Sequence, residues 1–89
     1  MSGSLAETRV IALVIGVHRR NGGTLKELNL SLRLMDPGLG IDSLDLAEIV
    51  ASLEREFGIA LFDRTIPQTW GGVVRVLSEA VGGAPSAPP

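Results

Sequence analysis

The strongest constraint on how this chain can fold lies between Asp42 and Gly58. Leu46, Ile49, Val50, Leu53 and Phe57 fall at i, i+3, i+4, i+7 and i+11, which is one face of an α-helix. Asp45, Glu48, Glu54 and Glu56 fall largely off that face. Asp42 with Asp45 has the spacing of a capping box, with aspartate in the third place. Gly58 suits a left-handed helix cap. The pattern predicts a helix over Ser43–Phe57.

A second helix is expected from about Ser4 to Arg20. Ser4 and Glu7 have capping-box spacing, and Val10, Ile11, Val14 and Val17 form an apolar stripe that Leu13 widens. The β-branched run also fits a buried strand. The cap, the length and the basic Arg19-Arg20 end, which suits the negative end of the helix dipole, favour helix. Asn21-Gly22-Gly23 should stop it.

Residues 24–41 form a long connection. Leu25, Leu28, Leu30, Leu32, Leu34 and Met35 are too apolar for a solvated loop, so this segment is expected to pack on the core with a short helical turn. The alternation of Leu30, Leu32 and Leu34 makes a short strand the competing reading. Asp36-Pro37-Gly38 marks a tight turn. After Gly58, the stretch Ile59–Ile66 is short and apolar, and Pro67 limits it to one helical turn near Asp63–Ile66. Thr69 can cap a last helix with Trp70, Val73, Val74, Leu77 and Val81 on its apolar face. Gly71 and Gly72 should weaken its first turn by about 1 kcal/mol each relative to Ala. Gly82 ends it. The expected organisation is all-α: one domain over 1–81, and a disordered Gly/Pro-rich tail over 82–89.

Composition removes several classes of function. There are no cysteines and one histidine, so a thiolate zinc site, a cysteine nucleophile and a cluster of imidazole ligands are all excluded. Two Phe, one Trp and no Tyr do not make a stacking platform for single-stranded nucleic acid. Charge is unevenly spread. Residues 36–63 carry seven carboxylates against Arg55, a balance of −6, within a chain whose net charge is −2. An acidic centre disfavours nucleic acid and anionic membranes and favours basic protein partners. The longest apolar run, Val10 to Val17, is far short of the roughly 20 residues of a membrane span. The start of the chain lacks the pattern of a secretory signal. The expected location is the cytoplasm, as a monomer with no stable membrane insertion.

Three groups invite chemistry. His18 is the one imidazole available to a Ser-His-Asp arrangement. It sits beside Arg19 and Arg20, a poor place for a base, and reads more simply as a surface residue at a helix end. Asp42 and Asp45 lack the order of a calcium loop and read as charges that complement a helix N-terminus. No metal site is expected. Ser43 stands between the Gly40-containing loop and the start of the amphipathic helix. A hydroxyl there can carry a phosphodiester, because a helix N-terminus offers N–H donors and positive potential to an anion. The plain alternative is that Ser43 or Asp42 is only an N-cap.

The wider context weighs between these. Gly40-Ile41-Asp42-Ser43-Leu44-Asp45-Leu46-Ala47-Glu48-Ile49, followed by Leu53-Glu54-Arg55-Glu56-Phe57-Gly58-Ile59, closely resembles the acyl carrier protein family. The resemblance is specific over residues 38–63 and weaker over Leu5–Arg20 and Thr69–Val81. It implies a small four-helix bundle, here with a long first loop and a short third helix. It implies that Ser43 receives 4′-phosphopantetheine from coenzyme A through a separate, magnesium-using phosphopantetheinyl transferase, which Asp42 helps to dock. The arm's thiol then holds acyl groups as thioesters, and the carrier itself is not an enzyme. Leu44, Asp45, Glu48, Glu54 and Glu56 would meet acyl-transfer and condensing enzymes with basic patches. Leu46, Ile49, Val50, Leu53, Phe57, Ile59, Leu61, Ile66 and Val73 would line the core that can receive the acyl chain.

Some features depart from the housekeeping fatty-acid pattern. The net charge is modest, Arg55 and Arg64 stand where acids are common, and the approach Leu34–Gly40 is long. These suit a specialised member in a lipid, polyketide or other secondary pathway. Two alternatives stay open at this level: a peptidyl or aminoacyl carrier, which more often shows G-G-x-S, and an unmodified carrier-like interaction module.

Overall fold

A computed structural model describes residues 5–61 and 67–81, with Val81 described in its backbone only. Three α-helices occur among the described residues: α1 (Leu5–Arg20), α2 (Ser43–Phe57) and α3 (Trp70–Val81), with a 3-10 turn at Pro37–Leu39. The four-helix bundle expected from the sequence is therefore present as three helices. The one-turn helix expected near Asp63–Ile66, the core position Ile66, the Ser4 half of the first capping box and the tail 82–89 all lie outside the described residues.

Each helix boundary has a local cause. At the end of α1, the Gly23 N–H donates to His18 O (2.9 Å) and the Gly22 N–H to Arg19 O (3.0 Å). This crossed pair needs Gly22 at positive φ, 97°, and it satisfies carbonyls that a helix end leaves open. α2 opens on a complete capping box. The Asp45 N–H donates to Asp42 Oδ1 at 2.8 Å, and the Asp42 N–H donates to Asp45 Oδ2 at 3.4 Å. It closes on left-handed Gly58, whose N–H donates to Glu54 O at 2.8 Å. Thr69 caps α3 as the sequence predicts, its Oγ1 accepting from the Gly72 N–H at 3.1 Å.

The core joins all three helices. Val10, Val14 and Val17 of α1, Ile49, Val50 and Leu53 of α2, and Trp70, Val73 and Leu77 of α3 are buried together with Leu61. Leu46, Phe57 and Ile59, expected in the core, are only partly buried and pack against its edge. Trp70 is fully buried, and its indole N–H has no acceptor among the described residues.

The connection between α1 and α2 closes one side of this core. Leu28, Leu34, Leu39 and Ile41 are buried, while Leu25 and Met35 stay exposed. The alternating leucines make no strand among the described residues. They contribute an isolated antiparallel bridge, Arg33 to Thr69, in which the Trp70 N–H donates to Leu32 O (3.1 Å) and the Leu34 N–H to Gln68 O (3.2 Å). Gly71 belongs to the same contact. Its N–H donates to Leu30 O at 2.7 Å, and a Cβ built on it would stand 3.1 Å from that oxygen. The sequence reads Gly71 as a weak point of the helix; in the fold it lets α3 approach the connection.

Candidate functional site

The chain arrives at Ser43 along a path fixed by α1. The 3-10 turn starts on Asp36, whose Oδ2 accepts from the Gly38 N–H at 2.9 Å, and ends on Gly40 in the left-handed conformation, φ 62°. His18 Nδ1 lies 2.7 Å from Leu39 O. The Leu25 N–H lies 3.3 Å from the opposite ring nitrogen, Nε2. A carbonyl only accepts and a backbone N–H only donates, so these contacts assign Nδ1 as the donor and Nε2 as the acceptor. The sequence reading of His18 as a surface residue is corrected here. The imidazole is buried because it joins two turns of the connection to the end of α1. Both of its nitrogens are committed, so it is no base for Ser43.

One residue further on, Asn21 Nδ2 donates to Gly40 O at 3.1 Å and to Asp45 Oδ2 at 2.8 Å. Arg20 reaches Asp45 Oδ1 at 3.3 Å and both oxygens of Glu48 at 3.1 and 3.3 Å. The Asp45 side chain is only 15% exposed. The Asn21 hydrogen bond holds its carboxyl below the usual value, helped by the Asp42 N–H and the Arg20 charge and opposed by partial desolvation. Glu48 is also held low, by the Arg20 hydrogen bond and then by its charge. Asp42 and Asp45 thus spend carboxylate oxygens on backbone N–H groups, as helix-capping acids do.

Ser43 itself is exposed at the first position of α2. Its hydroxyl makes no hydrogen bond among the described residues, and neither do the Ser43 and Leu44 N–H groups. Leu44 beside it is 77% exposed. An apolar groove of about 380 Å³ runs from Ser43 along Leu46, Ala47, Val50 and Ala51 to Glu54. The structure brings Asp42, Ser43, Leu44 and Asp45 together, with Glu48 one turn on. Glu54 and Glu56 are not beside them. Glu54 lies about 16 Å along the axis from Ser43 at the usual helical rise. Its Oε2 accepts from the Leu61 N–H at 2.8 Å. Glu56 forms a two-bond pair with Arg9 of α1 at 2.7 and 2.8 Å, which holds its carboxyl low, first through the Arg9 hydrogen bond and then its charge.

His18, Arg20, Asn21 and Arg9 make tertiary contacts that sequence reasoning missed. Apart from Leu25, seven residues beyond His18, their partners lie 19 to 47 residues away, and no local pattern encodes such pairings.

An exposed serine hydroxyl at a helix N-terminus, with open N–H donors, has surroundings compatible with a covalently carried anionic group. The donors suit a phosphodiester on that oxygen. Residues 9–80 match the family model described as phosphopantetheine attachment site, and the chain belongs to that family. No solved structure matches it. Members carry a covalently attached 4′-phosphopantetheine, so the chain is a phosphopantetheine-bearing carrier. Such carrier domains are generally non-catalytic and generally interact with a phosphopantetheinyl transferase and with partner enzymes. Among the described residues, no helix is long and apolar enough to cross a membrane.

Proposed function

We propose that this chain is an acyl carrier of a dedicated lipid, polyketide or other secondary pathway, acting as a monomer in the cytoplasm. Ser43 Oγ takes the phosphopantetheine group from coenzyme A, forming a new P–O bond and releasing adenosine 3′,5′-bisphosphate. The serine proton passes to the transferase. The arm supplies the thiol that the chain lacks. The observation that carries this reading is the exposed Ser43 at the capped start of α2, set in the Asp42-Ser43-Leu44-Asp45 context.

The neighbouring residues have distinct roles in this reading. Asp42 orients the serine for the transferase. Leu44 gives partner enzymes an apolar contact, and Asp45, Glu48, Glu54 and Glu56 meet their basic patches. The arginines already on three of these acids are about as exposed as their partners or more so. Such surface pairs are worth only about 0–1 kcal/mol, so a partner's cation can displace them. Ile49, Val50, Leu53, Leu61 and Val73, with Leu46, Phe57 and Ile59 at the edge, form the interior that would admit an acyl chain.

Incubation with coenzyme A and a phosphopantetheinyl transferase tests the assignment by intact mass. One added phosphopantetheine that vanishes in Ser43→Ala is the expected result. No addition with several transferases would leave an unmodified interaction module as the better reading.

A further inference from the structure

We propose that Asn21 is a positioning residue for the modification of Ser43; this rests on Ser43 being the attachment residue. Two consecutive carbonyls just before the serine, Leu39 O and Gly40 O, are held by side chains from the end of α1, His18 and Asn21. Asn21 does more than anchor the loop. Its Nδ2 carries two hydrogens, one directed to Gly40 O and the other to Asp45 Oδ2. Asp45 Oδ2 also accepts the Asp42 N–H of the capping box. One amide therefore fastens the last turn before the serine to the first turn of the helix after it.

The position of this link matters. Gly40 is at positive φ and is the least sterically restrained residue between the 3-10 turn and α2. Ile41 is buried and fixes the chain from inside. The capping box ties only Asp42 to the first turn of α2; among the described residues, no other side chain hydrogen-bonds both Gly40 and that turn. Arg20 touches Asp45 and Glu48 but not Gly40. Without Asn21, the Gly40 peptide can rotate and the Asp42-Ser43 pair samples orientations that a transferase cannot use. A binding-competent state populated only in part weakens apparent affinity by that fraction and leaves the later step unchanged. The signature is a KM effect.

The test takes the full chain as varied substrate for a phosphopantetheinyl transferase with coenzyme A. Asn21→Ala is expected to raise KM by about fivefold to tenfold, the scale of one ordinary hydrogen bond, with kcat little changed. Asn21→Asp, which sets a carboxylate against Gly40 O and Asp45, should raise it at least as far. Arg20→Ala, which breaks ion pairs to the same carboxylate without touching Gly40, should not raise it. Independently of any transferase, amide hydrogen exchange at Gly40, Asp42 and Asp45, whose N–H groups are hydrogen-bonded, should quicken in Asn21→Ala while α3 amides keep wild-type rates. An unchanged KM in a folded Asn21→Ala chain overturns the inference. So does a loss that follows the unfolded fraction, or that appears in kcat alone. If the wild-type chain takes no label, the attachment reading fails as well, and unchanged exchange at Gly40, Asp42 and Asp45 would then show that Asn21 holds nothing in place.

Discussion

The His18 imidazole and the Leu39 carbonyl meet at 2.7 Å inside the fold, 21 residues apart in the chain. The contact ties the end of the first helix to the turn that leads to Ser43. Substituting His18→Phe keeps a ring of similar breadth but removes both hydrogen bonds. Leu39 O and the Leu25 N–H then lose their partners, at about 1–3 kcal/mol for each group left unsatisfied. A lowered midpoint in urea is expected. A shift below about 0.5 kcal/mol would mean that water replaces the imidazole at both groups.

Two glycines should respond in opposite directions to alanine. Gly16 lies inside α1 with nothing within 4 Å of an added Cβ, so Gly16→Ala should stabilise the chain by about 0.5–1 kcal/mol through helix propensity and a less flexible unfolded state. Gly23 faces the His18 ring, and an added Cβ would overlap it. Gly23→Ala should lower the thermal midpoint, as either the ring or the turn must move. Equal effects at the two positions would contradict the packing described for His18.

Leu53 is fully buried in α2. Leu53→Ala should cost about 2–5 kcal/mol in denaturant titration. Phe57, partly buried at the end of the same helix, should lose less when cut to Ala than a fully enclosed Phe would. A larger loss at Phe57 than at Leu53 would place the centre of the core elsewhere.

Acid should weaken the α1–α2 contact. Asp45, Glu48 and Glu56 are held below their ordinary values in the folded chain: Asp45 first by Asn21, Glu48 by Arg20 and Glu56 by Arg9. A carboxylate depressed on folding binds fewer protons in the native state than in the unfolded one. Its contribution is present above the unfolded carboxylate range and is lost as pH falls through the lower folded values. Urea midpoints measured from neutral to acid pH should therefore fall on the acid side. Arg20→Ala should make that fall shallower, and an unaltered slope would show that its ion pairs add nothing.

The Arg55 side chain is exposed and makes no hydrogen bond or ion pair among the described residues, its charge acting only at longer range on Glu56. On the proposed partner surface its charge would repel generic basic enzymes and so help to select a dedicated one. Arg55→Glu should quicken acylation by a basic housekeeping acyl-transfer enzyme. The gain should shrink as salt shortens the screening length, which is about 8 Å at physiological ionic strength. Identical rates for the two forms at low salt would make Arg55 an ordinary surface residue.

The parts of this fold that the sequence reveals are those encoded within one or two helical turns. Asp42, Asp45, Gly58 and the Leu46-to-Leu53 stripe specify α2 and its ends by local spacing, and the structure places those ends as expected. The exposure of Ser43 follows from the same pattern. What remained hidden depends on residues distant in the chain. Arg20 reads locally as a cation suited to a helix end, but its partners are on α2. His18 reads as exposed because its neighbours are arginines, yet Leu39 and Leu25 enclose it. Gly71 reads as a propensity cost because Leu30 O, its reason for being small, is 41 residues away.

The two carbonyls held from the end of α1 bear on how this carrier can be re-engineered. Helix α2 and its serine are not a portable cassette. Grafted into another carrier without His18 and Asn21, the serine turn would lose both of its fastenings to the first helix. A working chimera should therefore be cut ahead of His18, so that the last turn of one helix travels with the first turn of the next.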